Sequence, residues 1–144
     1  NVKDELTQSM NEVTVDQLSE YKVVSNGEQS GISEIGLSLV LDSGTSLRYY
    51  FKIDSSVDLS KLDAKIDDKD CEIKKNSNGY YLELTSIPSN RLNQVHTFKL
   101  GGITIKCSAL SYVYSSLKNA TNQKGMMVSK ALYLYWKESK AYFG

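Results

Sequence analysis

The sequence predicts an α+β fold: a mainly antiparallel, sandwich-like β body with a C-terminal pair of helices packed on it. Over residues 21–108, short segments with alternating apolar residues are separated by turn residues, as in consecutive hairpins. Over residues 109–144, apolar residues recur at helical spacing instead. Residues 1–20 are polar and weakly patterned, so we expect a linker with a short helix over 15–19. A length of 144 residues suits one domain.

Three predicted hairpins form the β body. The first joins GLSLVL to SLRYYFKI, and both segments alternate. One face carries Leu37, Leu39, Leu41, Leu47, Tyr49, Phe51 and Ile53, and the other carries Arg48, Tyr50 and Lys52. The second hairpin joins CEIKK to YYLEL across Asn78-Gly79, and the third joins HTFKL to ITIKC across Gly101-Gly102. YKVVS, before Asn26-Gly27, predicts a further strand.

The last quarter of the chain predicts two helices. In SALSYVYSSLKN the apolar positions are Leu110, Val113, Tyr114 and Leu117, which is typical of an amphipathic helix. NQKG interrupts this pattern. The next apolar stripe comprises Val128, Ala131, Leu132, Tyr135, Tyr142 and Phe143, with Lys130 and Lys137 opposite. Since such a stripe needs a partner surface, we expect it, with Tyr133, to pack onto the sheet.

The segment Asp42-Ser43-Gly44 looks like the active-site loop of an aspartic peptidase. That chemistry needs two carboxylates sharing a proton, and a second such motif is absent, so a second chain would have to supply it. Asp first and Gly third also suit a tight hairpin loop. We interpret the segment as a turn, and a dimeric aspartic-peptidase-like enzyme is the minor alternative. The single histidine, His96, argues against Ser-His-Asp, Cys-His and multi-histidine zinc sites. The sequence therefore predicts no enzyme and no catalytic residue.

Charge and hydropathy argue against nucleic acid and membranes as partners. Seventeen basic and seventeen acidic residues cancel, which predicts no attraction to nucleic acid or to an anionic membrane. The longest apolar runs are far shorter than the roughly 20 residues that cross a bilayer, so we expect no membrane insertion.

An acidic run and two cysteines are the remaining candidates for metal or disulfide chemistry. Asp67, Asp68, Asp70 and Glu72 offer calcium-type oxygens, but a run that leads straight into a strand sends alternate side chains to opposite faces. We therefore predict a solvated acidic edge, and no metal or cofactor. Cys71 and Cys107 lie in predicted strands and are either small buried hydrophobes or a disulfide. The disulfide would stabilise the fold by roughly 3–4 kcal/mol.

The order and spacing of several packing motifs resemble a known module. SLVLDSGTSLRYYFKI, GYYLEL, SALSYVYSSLKN and the terminal VSKALYLYWKESKAYFG are similar to a module of large secreted or surface proteins of gut Firmicutes. Its closing helix has the form A-L-Y-x-Y-x-x-x-A-x-x-Y-F, and Ser139 replaces the last alanine here. The resemblance covers about residues 16–144. It implies an extracellular, Gram-positive setting with neighbouring modules of the same polypeptide as partners. The chain begins at Asn1 rather than Met, so we expect an excised fragment of a longer protein or a mature product.

Ten tyrosines and one tryptophan raise the alternative of carbohydrate binding, because both side chains offer a flat apolar face with a polar tip. Tyr50 should point away from the leucine face beside Arg48, and one of Tyr80 and Tyr81 should point outward too. Trp136 lies at the edge of its helical stripe. The candidate ligand-binding residues are therefore Tyr50, Arg48, Tyr80 and Trp136. The predicted function is a non-catalytic extracellular accessory module, acting in binding or adhesion to a glycan or surface protein, or as a spacer.

Overall fold

A computed structural model describes residues 15–41, 44–119 and 123–143, and in these residues it has the predicted α+β architecture. The strands are β1 (Val24–Asn26), β2 (Ile32–Leu41), β3 (Thr45–Ile53), β4 (Ala64–Ile66), β5 (Lys69–Asp70), β6 (Lys74–Asn76), β7 (Gly79–Leu84), β8 (His96–Leu100) and β9 (Ile103–Cys107). They form two antiparallel sheets, one ordered β1-β9-β8-β4-β5 and one ordered β2-β3-β7-β6. The helices are α1 (Ala109–Asn119) and α2 (Gln123–Phe143), and 3₁₀ helices occupy Val15–Tyr21, Leu59–Lys61 and Ser89–Arg91.

The three predicted hairpins are confirmed. β2 pairs with β3 from Ile32 opposite Ile53 to Leu41 opposite Thr45, with a bulge next to Gly36. β6 pairs with β7, and β8 pairs with β9. The third turn needs glycine, because a Cβ on Gly102 would lie 2.3 Å from the carbonyl oxygen of Glu28. In the turn between β2 and β3, Asp42 and Ser43 lie outside the described residues, and Gly44 has a positive φ of 144°.

A fourth hairpin, β4 with β5, was not predicted. Its turn is made by Asp67 and Asp68, which both have positive φ (52° and 67°). Two residues with positive φ are typical of the tight two-residue turn that suits a hairpin, and aspartate tolerates this conformation. The acidic run is thus a turn followed by a two-residue strand, and the prediction that it runs straight into a strand was wrong.

The hydrophobic core lies between the two sheets. β3 contributes Leu47, Tyr49 and Phe51, β7 contributes Leu82, and Phe98, Leu100, Ile103 and Ile105 come from β8 and β9. Each of these side chains stabilises the fold by roughly 1.5–3 kcal/mol through burial. The alternation read from the sequence therefore assigns the inner face of β3 correctly. α1 extends this core with Leu110, Val113 and Leu117, again as predicted.

α2 differs from its prediction in start, face and partner. It begins at Gln123, so Gln123–Gly125 is helical rather than an interruption. The predicted stripe is buried only in part: Leu132 and Tyr133 pack against the core, as expected, but Tyr135 is 56% and Tyr142 is 82% exposed. Trp136 and Ser139, which are not in the stripe, are buried instead. The helix packs against α1 and the 3₁₀ helix at Ser89–Arg91. Burying the large indole outweighs burying two tyrosines that keep their hydroxyls in water. The side chains of Val128 and Phe143 lie outside the described part of the chain.

The N-terminal 3₁₀ helix, Val15–Tyr21, confirms the short helix expected there. Its Leu18 is fully buried in the core, and the helix packs against α1. The segment predicted as a linker with a short helix therefore contributes to the same core, at least from Val15 onward. β1, which follows, pairs with β9 and covers only part of the predicted strand YKVVS.

Candidate functional site

The outer face of the four-stranded sheet carries an ion-pair network centred on Glu83. Arg48 lies directly opposite Glu83 in the ladder, and its Nε donates to the carboxylate at 2.5 Å. Lys74, on the edge strand β6, donates to the other carboxylate oxygen at 3.1 Å. Burial alone would raise the pKa of Glu83, but the hydrogen bonds from Arg48 and Lys74 hold it below its ordinary value. The Arg48 guanidinium, one of the predicted ligand-binding groups, is therefore already engaged within the fold.

The outward aromatic residues predicted for sugar stacking lie beside this network. Tyr50 points away from the leucine face, as predicted, and stacks on Tyr81 with ring centroids 5.1 Å apart. The Arg48 guanidinium lies 4.5 Å from the Tyr81 ring centroid. The Tyr50 hydroxyl accepts hydrogen bonds from Arg48 (3.2 Å) and Asn76 (2.9 Å). Only 6% of Tyr50 and 9% of Tyr81 is exposed, so these rings offer no open stacking platform.

Tyr80 does not join the outward pair. In the ladder it lies opposite Phe51, whose side chain is in the core, and Tyr81 lies opposite Tyr50. Tyr80 is half-buried, and the Nζ of Lys75 on the neighbouring strand lies 4.9 Å from its ring centroid. Of the tyrosine pair in YYLEL, the structure therefore turns Tyr81 to the outer face, and the choice of Tyr80 as an outward candidate was wrong.

Trp136 is a core residue. Its ring is 9% exposed and packs edge-on against Tyr21, with centroids 6.1 Å apart, and tilted against Tyr133 at 5.6 Å. Its indole N–H donates to the Asn93 side chain at 3.3 Å. These contacts fasten α2 to the N-terminal 3₁₀ helix and to the loop before β8. The position at the edge of a stripe, read from the sequence, did not indicate this burial.

Sequence reasoning missed a Cys-His-Asp constellation at the start of β8. His96 lies opposite Cys107 in the β8–β9 ladder, and its Nδ1 lies 2.6 Å from a carboxylate oxygen of Asp67. The Nε2 of His96 is buried and has no hydrogen-bond partner. The thiol is 2% exposed, and burial raises the pKa of Cys107 to about 12. Because the thiolate is the nucleophile, this buried thiol supplies none at neutral pH. The prediction from the single histidine concerned catalytic and zinc sites, and it did not indicate that His96 lies between a cysteine and an aspartate.

The two cysteines are free thiols. Cys71 lies between β5 and β6 rather than in the strand predicted for it, and its amide donates to the carbonyl of Ala64 at 3.0 Å. Ala64 faces Leu100 on β8, whereas Cys107 faces His96 at the other end of that strand. A disulfide between Cys71 and Cys107 is therefore not formed. Burial raises the pKa of the Cys71 thiol as well.

The acidic turn is occupied by interactions within the protein. Asp67 accepts a hydrogen bond from the Thr97 amide at 2.9 Å in addition to its contact with His96. Asp68 lies 3.7 Å from Lys99, and Asp70 lies 3.9 Å from Lys65. Within the described ranges, no group of three or more histidine, cysteine, aspartate or glutamate side chains could hold a metal ion.

The outer edge of β2 is the longest sheet edge in the described part of the chain. The other three sheet edges are the strands β1, β5 and β6, each only two or three residues long, whereas β2 has ten. Among the described residues, its outer side pairs with no strand. Long open edges are usually protected by lysine, proline or bulges. β2 contains neither lysine nor proline, and its bulge next to Gly36 leaves the segment to Leu41 in regular register.

The only charged side chain on β2, Glu34, is hydrogen-bonded within the protein. The Glu34 carboxylate accepts hydrogen bonds from the Ser25 hydroxyl (2.6 Å) and the Tyr49 hydroxyl (2.8 Å). Burial, and then the contact with Glu34, raise the pKa of Tyr49, so its phenol stays protonated and keeps donating. The edge therefore presents backbone amides and carbonyls with little competing charge.

A groove of about 370 Å³ lies between this edge and α1. Ile35, Gly36 and Leu37 form the strand side, and Tyr112, Ser115 and Ser116 form the helix side. The three helix residues are spaced to face one direction, and none of the six lining residues is charged. Beyond the groove, at the end of the strand, Leu41 is 62% exposed. An extended backbone is the natural complement of such an edge, and a groove beside it selects uncharged side chains.

Comparison of the chain with known protein families, with curated proteins and with solved structures finds no match. In the described part of the chain, no helix combines the length and the apolar character that crossing a bilayer requires.

Proposed function

We propose that this chain is a non-catalytic interaction module of a larger extracellular protein of Gram-positive type, and that it contacts other polypeptide segments through β2. The observation that carries this proposal is the ten-residue edge strand with an uncharged groove beside it. Addition of a strand to such an edge supplies main-chain hydrogen bonds for affinity and side-chain pockets for specificity. The similarity of the packing motifs to modules of Firmicutes surface proteins supports the extracellular setting.

We place no carbohydrate site on the predicted aromatic residues. Tyr50 and Trp136 are both less than one-tenth exposed, and their polar atoms already have partners within the protein. The ring of Tyr81 is equally covered. Stacking on a sugar would require breaking the contacts that hold these rings, so a polypeptide partner at the open strand edge is favoured.

The proposal is tested with two libraries screened on the same purified chain: a random peptide library displayed on phage, and plant, host and bacterial glycans. We expect enrichment of peptides with alternating apolar residues, and loss of their binding in a Leu41→Lys variant. Val95→Lys is the matched control, because Val95 is 59% exposed and directly precedes β8, which belongs to the other sheet. Glycan binding that persists in the Leu41→Lys variant, without any peptide selected, would refute the proposal.

A further inference from the structure

We propose that the segment occupying the β2 edge is β2 of a second copy of this chain. The two strands pair antiparallel around Leu39, and the exposed Leu41 of each copy enters the groove beside Leu37 of the other. This inference rests on the proposed function and names its partner. Such a pairing joins two four-stranded sheets into one continuous sheet with a two-fold axis, the commonest symmetry of soluble dimers.

The positions of the leucines determine the register. In an antiparallel pair centred on one residue, the residue two places after the centre faces the residue two places before it in the partner strand. Centring on Leu39 therefore places Leu41 of one copy opposite Leu37 of the other, twice in each dimer. Because side chains alternate with a period of two, Leu37, Leu39 and Leu41 all project to the same side of the joined sheet. Each β2 strand therefore supplies both the exposed Leu41 and the Leu37 that Leu41 of the other copy contacts.

The environment of Leu37 suits a leucine from outside. Leu37 borders the groove together with Tyr112 and Ser115, and the lining has no charge that burial of an apolar side chain would leave unpaired. Leu41 itself is 62% exposed, and it is the largest exposed apolar side chain in the regular part of the strand. Pairing covers it with the groove wall of the second copy.

Charge and backbone regularity favour the same register. Glu34 is the only charged residue of β2, and centring on Leu39 places it opposite position 44 of the partner, beyond the end of that strand. The two Glu34 carboxylates therefore stay apart, and neither faces an apolar side chain in the paired segment. The bulge next to Gly36 also lies outside the pairs formed by Leu37–Leu41. A different peptide would need matching leucines, whereas the chain itself already has them.

The test is sedimentation equilibrium of the full chain over a wide concentration range, together with amide hydrogen exchange. We expect the mass to rise from 16.1 kDa toward twice that value as concentration increases. In the Leu41→Lys variant the dimer Kd should increase about tenfold or more, because a charge then faces the uncharged groove at both ends of the pair. The Val95→Lys control should dimerise like the parent chain. Amides within Leu37–Leu41 should exchange more slowly in the concentrated sample, and those of β6 should not change.

A chain that is monomeric at every concentration overturns the inference, and so does a dimer that is equally stable in both lysine variants. If the chain is monomeric but selected peptides still bind in a manner that depends on Leu41, the proposed function holds and only the identity of the partner is wrong. If the Leu41→Lys substitution changes neither self-association nor peptide binding, both proposals fail.

Discussion

Replacing Trp136 with alanine tests whether this side chain is a structural element or a ligand-binding one. The indole is buried against Tyr21 and Tyr133 and bonded to Asn93. Truncating a buried tryptophan costs about 3–5 kcal/mol. Because the ring is 9% exposed and its two aromatic neighbours are half-buried, the cavity can partly collapse, and we expect the lower value of about 3 kcal/mol.

This loss is large enough to measure without ambiguity. The unfolding entropy is about 2.1 cal/mol/K per residue, so about 0.3 kcal/mol/K for 144 residues. A loss of about 3 kcal/mol then lowers Tm by about 10 °C. Trp136→Phe retains an aromatic ring and loses the hydrogen bond to Asn93, and it should cost only about 1–1.5 kcal/mol.

Thermal and urea unfolding followed by circular dichroism give both values. Because Trp136 is the only tryptophan, its fluorescence gives an independent reading: the emission should be shifted to the blue in the folded chain and move to the red on unfolding. An alanine variant within about 0.5 kcal/mol of the parent chain, the range of ordinary surface substitutions, would contradict the burial argument. So would an emission maximum typical of a solvated indole in the folded protein.

Three further predictions concern polar groups. Glu83→Gln should lower the free energy of unfolding in urea by about 1–2 kcal/mol, because Arg48 loses its charged acceptor but remains partly solvated. An unchanged midpoint of urea unfolding would contradict a stabilising role of the ion-pair network. Thiol titration should find two free cysteines in denaturant. In the folded chain Cys107 should not react, because burial raises its pKa to about 12. Rapid reaction of both thiols in the folded chain would contradict the burial of Cys107, and the absence of reactive thiols in denaturant would contradict the free state of the cysteines. Although burial raises the pKa of the Asp67 carboxyl, its hydrogen bonds outweigh burial and hold this pKa below its ordinary value. The ionised carboxylate therefore stabilises the fold above the ordinary aspartate pKa of about 4, and this contribution is lost as pH falls through the folded-state pKa. Asp67→Asn should therefore narrow the stability difference between neutral pH and about pH 3, and an equally steep acid loss would refute the assignment.

The burial of Tyr50 illustrates how far alternation can be used to find ligand-binding residues. Alternation correctly places it on the face opposite the leucines. Whether an outward ring is exposed depends on which residues lie on the adjacent strands. Here Tyr81 stacks on it, and Asn76 and Arg48 bond to its hydroxyl. These neighbours are up to 31 residues away in the sequence. Alternation within one strand therefore does not reveal that Tyr50 is covered, because this depends on which strands pair.

Local sequence by itself determined the hairpins, the inner face of β3 and the amphipathic α1, because period-two and helical spacing, together with turn residues, act over a few positions. It did not reveal the Asp67-Asp68 turn, which lacks the usual glycine, or the buried face of α2, where apolar residues occur on more than one side. Only the tertiary structure decided which side chains are enclosed, that His96, Cys107 and Asp67 come together, and that β2 is the one long sheet edge in the described chain. The physical reason is that burial and edge position depend on contacts between segments far apart in the chain.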